Sequence, residues 1–178
     1  PINILINNAA NDERHAIDDV TEEYWNDRMN INLRHYFFTV QSVKKAMVEN
    51  KNGAIVNISS DLGLIAPDQR LYSKPGVLEN LQPVKPITYS VIKTGIIGLT
   101  RYLATYWTSQ NVRCNAMCPG GVENGQPESF LNKVHSRIPM NRLAKPDEYQ
   151  GTLLWMLSDA SSYLNGAIVS VDGGRTAW

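Results

Sequence analysis

Four short apolar runs, each separated from the next by enough chain to hold a helix, constrain this sequence more than any other feature. Ile2-Asn3-Ile4-Leu5-Ile6-Asn7-Asn8, Ala54-Ile55-Val56-Asn57-Ile58-Ser59-Ser60, Val112 to Met117 and Ala167-Ile168-Val169-Ser170-Val171 are mostly continuous in their apolar character rather than alternating. Strands buried on both faces read this way. Between the first two, Met29, Leu33, Tyr36, Phe37, Val40, Val43 and Met47 recur at three- and four-residue steps. That period predicts one amphipathic helix from Trp25 to about Glu49, begun near Glu22 under a cap from Asp19 or Thr21 and stopped by Lys51-Asn52-Gly53. A second helix is expected from Ile87 to about Ser109, a short one over Ser129 to Ser136, and a last one from Pro146 to about Ser158. In the last, Pro146-Asp147-Glu148 supplies a first-turn proline and acids at the positive dipole end. Strand alternating with helix predicts an α/β fold: a doubly wound parallel sheet with helices on both faces, in a single domain over 1–178.

Composition narrows the function classes. The chain has 178 residues, no formal net charge, 43% hydrophobic and 19% charged residues, which suits one soluble domain and gives nucleic acid no electrostatic footprint. It lacks the 18 or more consecutive apolar residues of a membrane span and the basic, small-residue pattern of a leader, so a cytoplasmic location is expected. Cys114 and Cys118 face the same side of one strand about 13 Å apart, beyond disulfide reach. His15, His35 and His135 are scattered, so no metal site is expected and the cysteines read as two buried free thiols.

Tyr89 and Lys93 stand four apart on the second long helix and so share one face. An ammonium beside a phenol favours the phenolate and lowers the tyrosine pKa from about 10 towards neutrality. Such a tyrosine can exchange a proton with a substrate hydroxyl or carbonyl. The same spacing also suits a plain exposed helix pair, and the surrounding residues decide between the two.

A series of motifs in order does so. Asn7-Asn8-Ala9-Ala10 follows the first strand, Asn32 lies in the first helix, and Gly53 to Ser60 forms the second strand with its two terminal serines. Tyr89-x-x-x-Lys93 comes next, then Arg113-x-Asn115-Ala116 leading to Pro119-Gly120, and finally Val171-Asp172-Gly173-Gly174. In these the chain resembles the short-chain dehydrogenase/reductase family over nearly all of its length, and so the Rossmann-type form of the doubly wound sheet. The resemblance implies that Tyr89 is the general acid/base, that Lys93 lowers its pKa and bonds the nicotinamide ribose, and that Ser60 donates to the substrate oxygen. Asn32 would hold a water that joins Lys93 to solvent. Asn8, Ala9, Ala10, Pro119, Gly120 and Val122, with Tyr89 and Lys93, would contact the cofactor, NAD or NADP. The plainer alternatives are that the serines end a strand, that Asn7 and Asn8 shape a turn, and that the glycines serve backbone geometry.

A dinucleotide fold opens with a strand, a glycine-rich turn and a helix that receives the pyrophosphate. No such turn lies near the start of this chain. The expectation is a C-terminal part of the fold, lacking about three strands or roughly 80 residues, and inactive by itself.

Departures from the family pattern carry information too. Tyr89 follows Ser60 by 29 positions, against little more than a dozen in the family. The surplus, about 64–86, is expected to line the substrate pocket, where Arg70, Tyr72, Lys74 and Glu79 would suit a polar substrate, anionic or hydroxylated. Asn124 stands where the family often has Thr, and Ala10 where it has Gly. The insertion, Thr105-Tyr106-Trp107 and the stretch Gly174 to Trp178 resemble a branch found beside bacterial genes for surface-sugar and flagellin-glycan synthesis, which implies a sugar substrate. The leading expectation is an oxidoreductase interconverting a secondary alcohol and a ketone. Alternatives are a sugar epimerase or dehydratase of the extended relatives, disfavoured by the Val171-Asp172-Gly173-Gly174 ending, and an inactive scaffold. Apolar residues on more than one face of both long helices, Tyr36 to Phe38 and Ile92 to Leu103, match the family's four-helix interface and predict a homodimer or homotetramer.

Overall fold

The structure is a computed structural model that describes residues 2–13 and 15–178; Pro1, where the first expected strand begins, lies outside them. Four strands, β1 (Ile4–Asn7), β2 (Gly53–Ile58), β3 (Val112–Pro119) and β4 (Ile168–Val171), pair in that order. All three pairings are parallel. Asn7 stands opposite Asn57, Ile58 opposite Met117 and Pro119 opposite Val171. The third strand therefore runs two residues past Met117, because β4 gives it a partner that far.

The helices are α1 (Glu22–Met29), α2 (His35–Glu49), α3 (Ile87–Tyr106), α4 (Glu128–His135) and α5 (Gln150–Leu157). Successive strand residues point to opposite faces, and the two faces have different covers. Ile55 and Cys114 pack with Val40 and Met47 of α2 and Leu103 and Ala104 of α3. Val56 and Met117 pack with Met156 of α5. Helices thus lie on both faces, and each fully buried aliphatic side chain here contributes about 1.5–3 kcal/mol relative to exposure. Among the described residues no helix is long and apolar enough to cross a membrane.

The first long helix is not uniform. Thr21 caps it, its hydroxyl accepting from the Tyr24 N–H at 3.1 Å. Between α1 and α2 the backbone forms a π-turn over Asn30–Arg34, a local widening that accumulates at functional positions. The last helix starts later than expected. Pro146-Asp147-Glu148 forms a turn ahead of α5, since Glu148 turns its carboxylate back to Arg142 at 2.6 and 2.7 Å and to the Lys145 N–H at 2.7 Å.

Buried polar residues tie the layers together. Asn57, fully buried, accepts from Asn7 Nδ2 at 2.9 Å and donates to Thr100 Oγ1 at 3.0 Å, linking β1, β2 and α3. Arg113 donates to the carbonyls of Met156, Leu164 and Ser158, and Asn115 bonds Leu164 and Ala167. That motif closes the end of α5 against the start of β4. Cys114 and Cys118 are free and buried, and burial pushes the Cys114 thiol up to about 12.

Candidate active site

The parallel strands deliver three segments to one edge of the sheet. After β2, Ser59 and Ser60 are both buried, and the chain turns at Asp61–Gly63. Gly63 allows α3 to close in: a Cβ there would stand 2.8 Å from Ser59 Oγ and 2.9 Å from the Lys93 carbonyl. Ser59 Oγ donates to the Lys93 carbonyl at 2.7 Å, and Thr94 Oγ1 donates to the Gly63 carbonyl at 3.2 Å. These contacts clamp the Tyr89–Lys93 face of α3 onto the end of β2.

Lys93 Nζ donates to the Ile58 carbonyl at 3.0 Å, its one hydrogen bond among the described residues, and lies 5.7 Å from the Tyr89 ring centroid. Burial, helped by the nearby Lys85 charge, holds its ammonium down at about 8. Tyr89 departs from the simple i,i+4 expectation. Burial raises its phenol above the ordinary value, Asp61 and Asp12 push the same way, and hydrogen bonding to Ser60 opposes them. Lys93 is drawn towards the Ile58 carbonyl, so the pair alone does not bring the phenol down. Ser60 Oγ donates to Asp61 Oδ1 at 2.8 Å and accepts from the Leu62 N–H at 3.1 Å. Asp61 in turn receives Arg175 at 2.7 Å.

Asn32 lies in the π-turn and is buried. Its Oδ1 accepts from the Asn11 N–H at 2.7 Å and its Nδ2 donates to the Arg28 carbonyl at 2.9 Å. It thereby holds the loop after β1 against the helix. Beside it is a cavity of about 20 Å³ reached by Arg28, Thr88, Tyr89 and Lys93. Two groups lining it, Arg28 Nη1 and Thr88 Oγ1, are buried without a hydrogen-bond partner among the described residues.

Asn8, Ala9 and Ala10 are exposed at the end of β1, while the buried Asn7 serves the sheet. Pro119 and Gly120 end β3, with the Gly120 N–H donating to the Val171 carbonyl at 2.9 Å. A Cβ at Gly120 would lie 2.9 Å from Asp172 Cα, so glycine lets the two chain ends touch. Val122 pairs with Ala144, and Gln126 donates to its carbonyl at 2.7 Å. Apart from Tyr89 and Lys93, which lie on α3, the residues expected to meet a cofactor thus sit at or just beyond the carboxyl end of a strand, where open sheets bind ligands.

The insertion is more ordered than a plain loop. Two short 3₁₀ turns, Gln69–Leu71 and Glu79–Leu81, punctuate it, and Leu71 is buried with Val134, Ile138 and Leu143. Arg70 pairs with Asp68 at 2.8 Å and, like Lys74 and Glu79, is exposed. None of these three lines the cleft of about 700 Å³ that the insertion forms with α3; Gln69, Val84 and Lys85 do so instead. Tyr72 alone of the four expected residues acts on Tyr89. Sequence reasoning missed Asp12, Asp61, Lys85 and Arg175. Lys85 carried a signal, four residues before Tyr89, but Pro86 separates it from the helix and the i,i+4 rule does not reach it.

An open parallel sheet with Tyr89, Lys93 and Ser60 gathered at its strand ends defines a doubly wound α/β protein, and makes that edge its candidate ligand site. The family model described as enoyl-(acyl carrier protein) reductase matches residues 1–176. The chain is 34% identical over 177 residues to the 3-oxoacyl-[acyl-carrier-protein] reductase FabG of Thermotoga maritima, covering 97% of this chain and 65% of that relative. It is 31% identical over 183 residues to the 2-dehydro-3-deoxy-D-gluconate 5-dehydrogenase of Escherichia coli, covering 99% of this chain and 66% of the relative. Among solved structures, a short chain dehydrogenase from Leptospira borgpetersenii with bound NAD+ superposes with a TM-score of 0.88 at 30% identity, covering 98% of this chain and 65% of that one. A gluconate 5-dehydrogenase from Burkholderia cenocepacia in complex with NADP and tartrate gives 0.86 at 26% identity, covering 99% and 66%. The chain belongs to the short-chain dehydrogenase/reductase family, and it spans slightly less than two thirds of the length of these relatives.

Proposed function

We propose that this chain carries the proton-transfer and substrate-binding part of an NAD(P)-dependent oxidoreductase that interconverts a secondary alcohol and a ketone, on a sugar or another polar substrate. The observation that carries this reading is the clamp of Gly63, Ser59 and Lys93, which brings Tyr89 to Ser60 at the end of β2. The sugar-acid dehydrogenase among the relatives and the tartrate-bound neighbour support a hydroxylated substrate.

Lys93 retains two N–H donors beyond its bond to Ile58, which fits the paired hydroxyls of a ribose. Asn8 to Ala10, Pro119, Gly120 and Val122 would border the cofactor. When bound, a nicotinamide supplies or accepts the hydride. The protein's share is proton transfer and orientation. In reduction Tyr89 gives its hydroxyl proton to the carbonyl oxygen, while Ser60, turned from Asp61, donates to the same oxygen as negative charge grows there. In oxidation the Tyr89 phenolate takes that proton back. The small cavity between Asn32, Tyr89 and Lys93 is large enough for one water and would extend the proton path past Lys93.

Tyr89→Phe tests the reading in the full-length protein. Turnover is expected to fall by roughly 10²–10⁴-fold or more, with cofactor affinity nearly unchanged by fluorescence titration. Activity within tenfold of the parent would assign the proton transfer to another group.

The exposed Phe37 and Phe38 of α2 and Val91, Tyr102 and Tyr106 of α3 support a homodimer or homotetramer through these helices. Ile92, Ile96, Ile97 and Leu103, expected to share that surface, are buried inside the fold. Light scattering at micromolar concentration checks this, and a monodisperse monomer would sink it.

A further inference from the structure

We propose that Lys85 is a second cation for Tyr89, a positioning residue that Asp12 holds over the phenol ring and that favours its ionisation. The inference rests on the reading of Tyr89 as the proton-transfer group. Lys85 Nζ lies 3.5 Å from the Tyr89 ring centroid, nearer than Lys93 Nζ at 5.7 Å. A cation over an aromatic face is attracted to the neutral ring, and more strongly to a phenolate, whose charge spreads into that ring. The cation closer to Tyr89 is therefore not the one four residues onward in the helix.

Three features hold Lys85 in this place. Its Nζ bonds Asp12 Oδ2 at 2.8 Å, with side chains 18% and 32% exposed. Its backbone is clamped by Gln69, which accepts from the Lys85 N–H at 2.8 Å and donates to its carbonyl at 3.2 Å. Pro86, buried and with φ at −61°, then fixes the entry into α3. The insertion thus delivers a charge to the reacting group through Gln69 at one end and Lys85 at the other.

The other groups facing Tyr89 do not duplicate this role. From the turn after β2 comes Asp61, whose charge is met by Arg175 at 2.7 Å. From α2 comes Tyr36, its hydroxyl donating to the Ile58 carbonyl at 3.1 Å; from the insertion comes Tyr72, a phenol rather than a cation. From α3 itself comes Lys93, engaged with that same carbonyl at 3.0 Å. Arg28 of α1 reaches the small cavity beside Tyr89 and is paired with Asp27. Asp12 faces Tyr89 as well and pushes its pKa up. Without Lys85 that carboxylate would stand against the phenol unbalanced.

The test is a direct titration of Tyr89 in the full-length protein, carrying 13Cζ-labelled tyrosine with the resonance assigned through Tyr89→Phe. Lys85→Met is expected to raise the Tyr89 midpoint by about one pH unit, tenfold in proton affinity, the scale of one charge at this range. Lys85→Arg is expected to restore at least half of the shift. In turnover, the alkaline-rising limb of alcohol oxidation should move upward by the same amount in Lys85→Met. A shift below 0.2 unit, taken as about the resolution against the unit scale, or a shift downward, overturns the inference. If the NMR shift occurs but neither the parent nor any variant turns over, the oxidoreductase reading fails while the coupling of the Lys85 charge to Tyr89 stands. If the parent turns over and the midpoint stays put, the inference fails alone. Circular dichroism of each variant guards against reading misfolding as either result.

Discussion

Arg175 Nη1 lies 2.7 Å from Asp61 Oδ2, joining the stretch after β4 to the residue that follows Ser60. Both side chains are almost fully buried, at 11% and 4% exposure. Removing one partner from such a pair leaves a buried charge uncompensated, at a cost of about 3–5 kcal/mol. Arg175→Gln is expected to lose roughly 3 kcal/mol in urea unfolding, and Asp61→Asn in the same chain to recover part of it. A loss under about 1 kcal/mol would show the pair to be solvated in solution.

Gly63→Ala is expected to damage both stability and turnover. The new Cβ would meet Ser59 Oγ at 2.8 Å and the Lys93 backbone at 2.9 Å, and the backbone of a packed helix cannot swing aside. Overpacking of this kind costs about 1–3 kcal/mol. Retention of parental stability and activity would mean that α3 does not depend on that close approach.

Cys114, with its thiol pushed up to about 12, and Cys118, raised by burial as well, hold little thiolate near neutrality. Native protein at pH 8 is expected to resist a thiol reagent such as DTNB over minutes, and both cysteines should react at once in urea. Rapid labelling of the native protein would contradict the burial of β3.

Lys93 gives a pH signature whose sign follows from its depressed pKa. Its value of about 8 in the fold lies below the ordinary 10.5, so its charged form weakens the fold. That penalty is complete below pH 8 and is relieved as pH rises towards 10.5, where the unfolded chain holds more protons than the folded one. The stability of the parent minus that of Lys93→Met is therefore expected to rise by on the order of 3 kcal/mol between pH 7 and pH 10.5. Other groups largely cancel in that difference. A flat difference would place the ammonium in contact with water.

The sheet and its helices were legible because each depends on periodicity: Ile55 and Val56 belong to opposite faces simply by being adjacent in β2. Tyr89, Lys93, Ser60 and Asn32 were legible because motif spacing locates them. Asp12, Lys85, Asp61 and Arg175 were not, since each finds its partner across a long stretch of chain, as Lys85 and Asp12 do over 73 positions. Nor does spacing reveal which way a charged side chain turns. Arg70 looked like a pocket residue and instead pairs with Asp68, two positions earlier.

The clamp around Gly63 also separates two kinds of change that such a protein can undergo. Both ends of the 64–86 segment are anchored where α3 meets β2, through Gly63 with Thr94 on one side and Pro86 on the other. Lengthening a loop whose ends are already held costs little, about 0.6 kcal/mol for each doubling. On the proposed function, substrate choice can therefore drift with that segment while Tyr89 keeps its footing. Lys85 marks the limit of that freedom, because it belongs to the same segment and yet stands over the Tyr89 ring: on the proposed function, exchanging the loop would retune the chemistry along with the specificity.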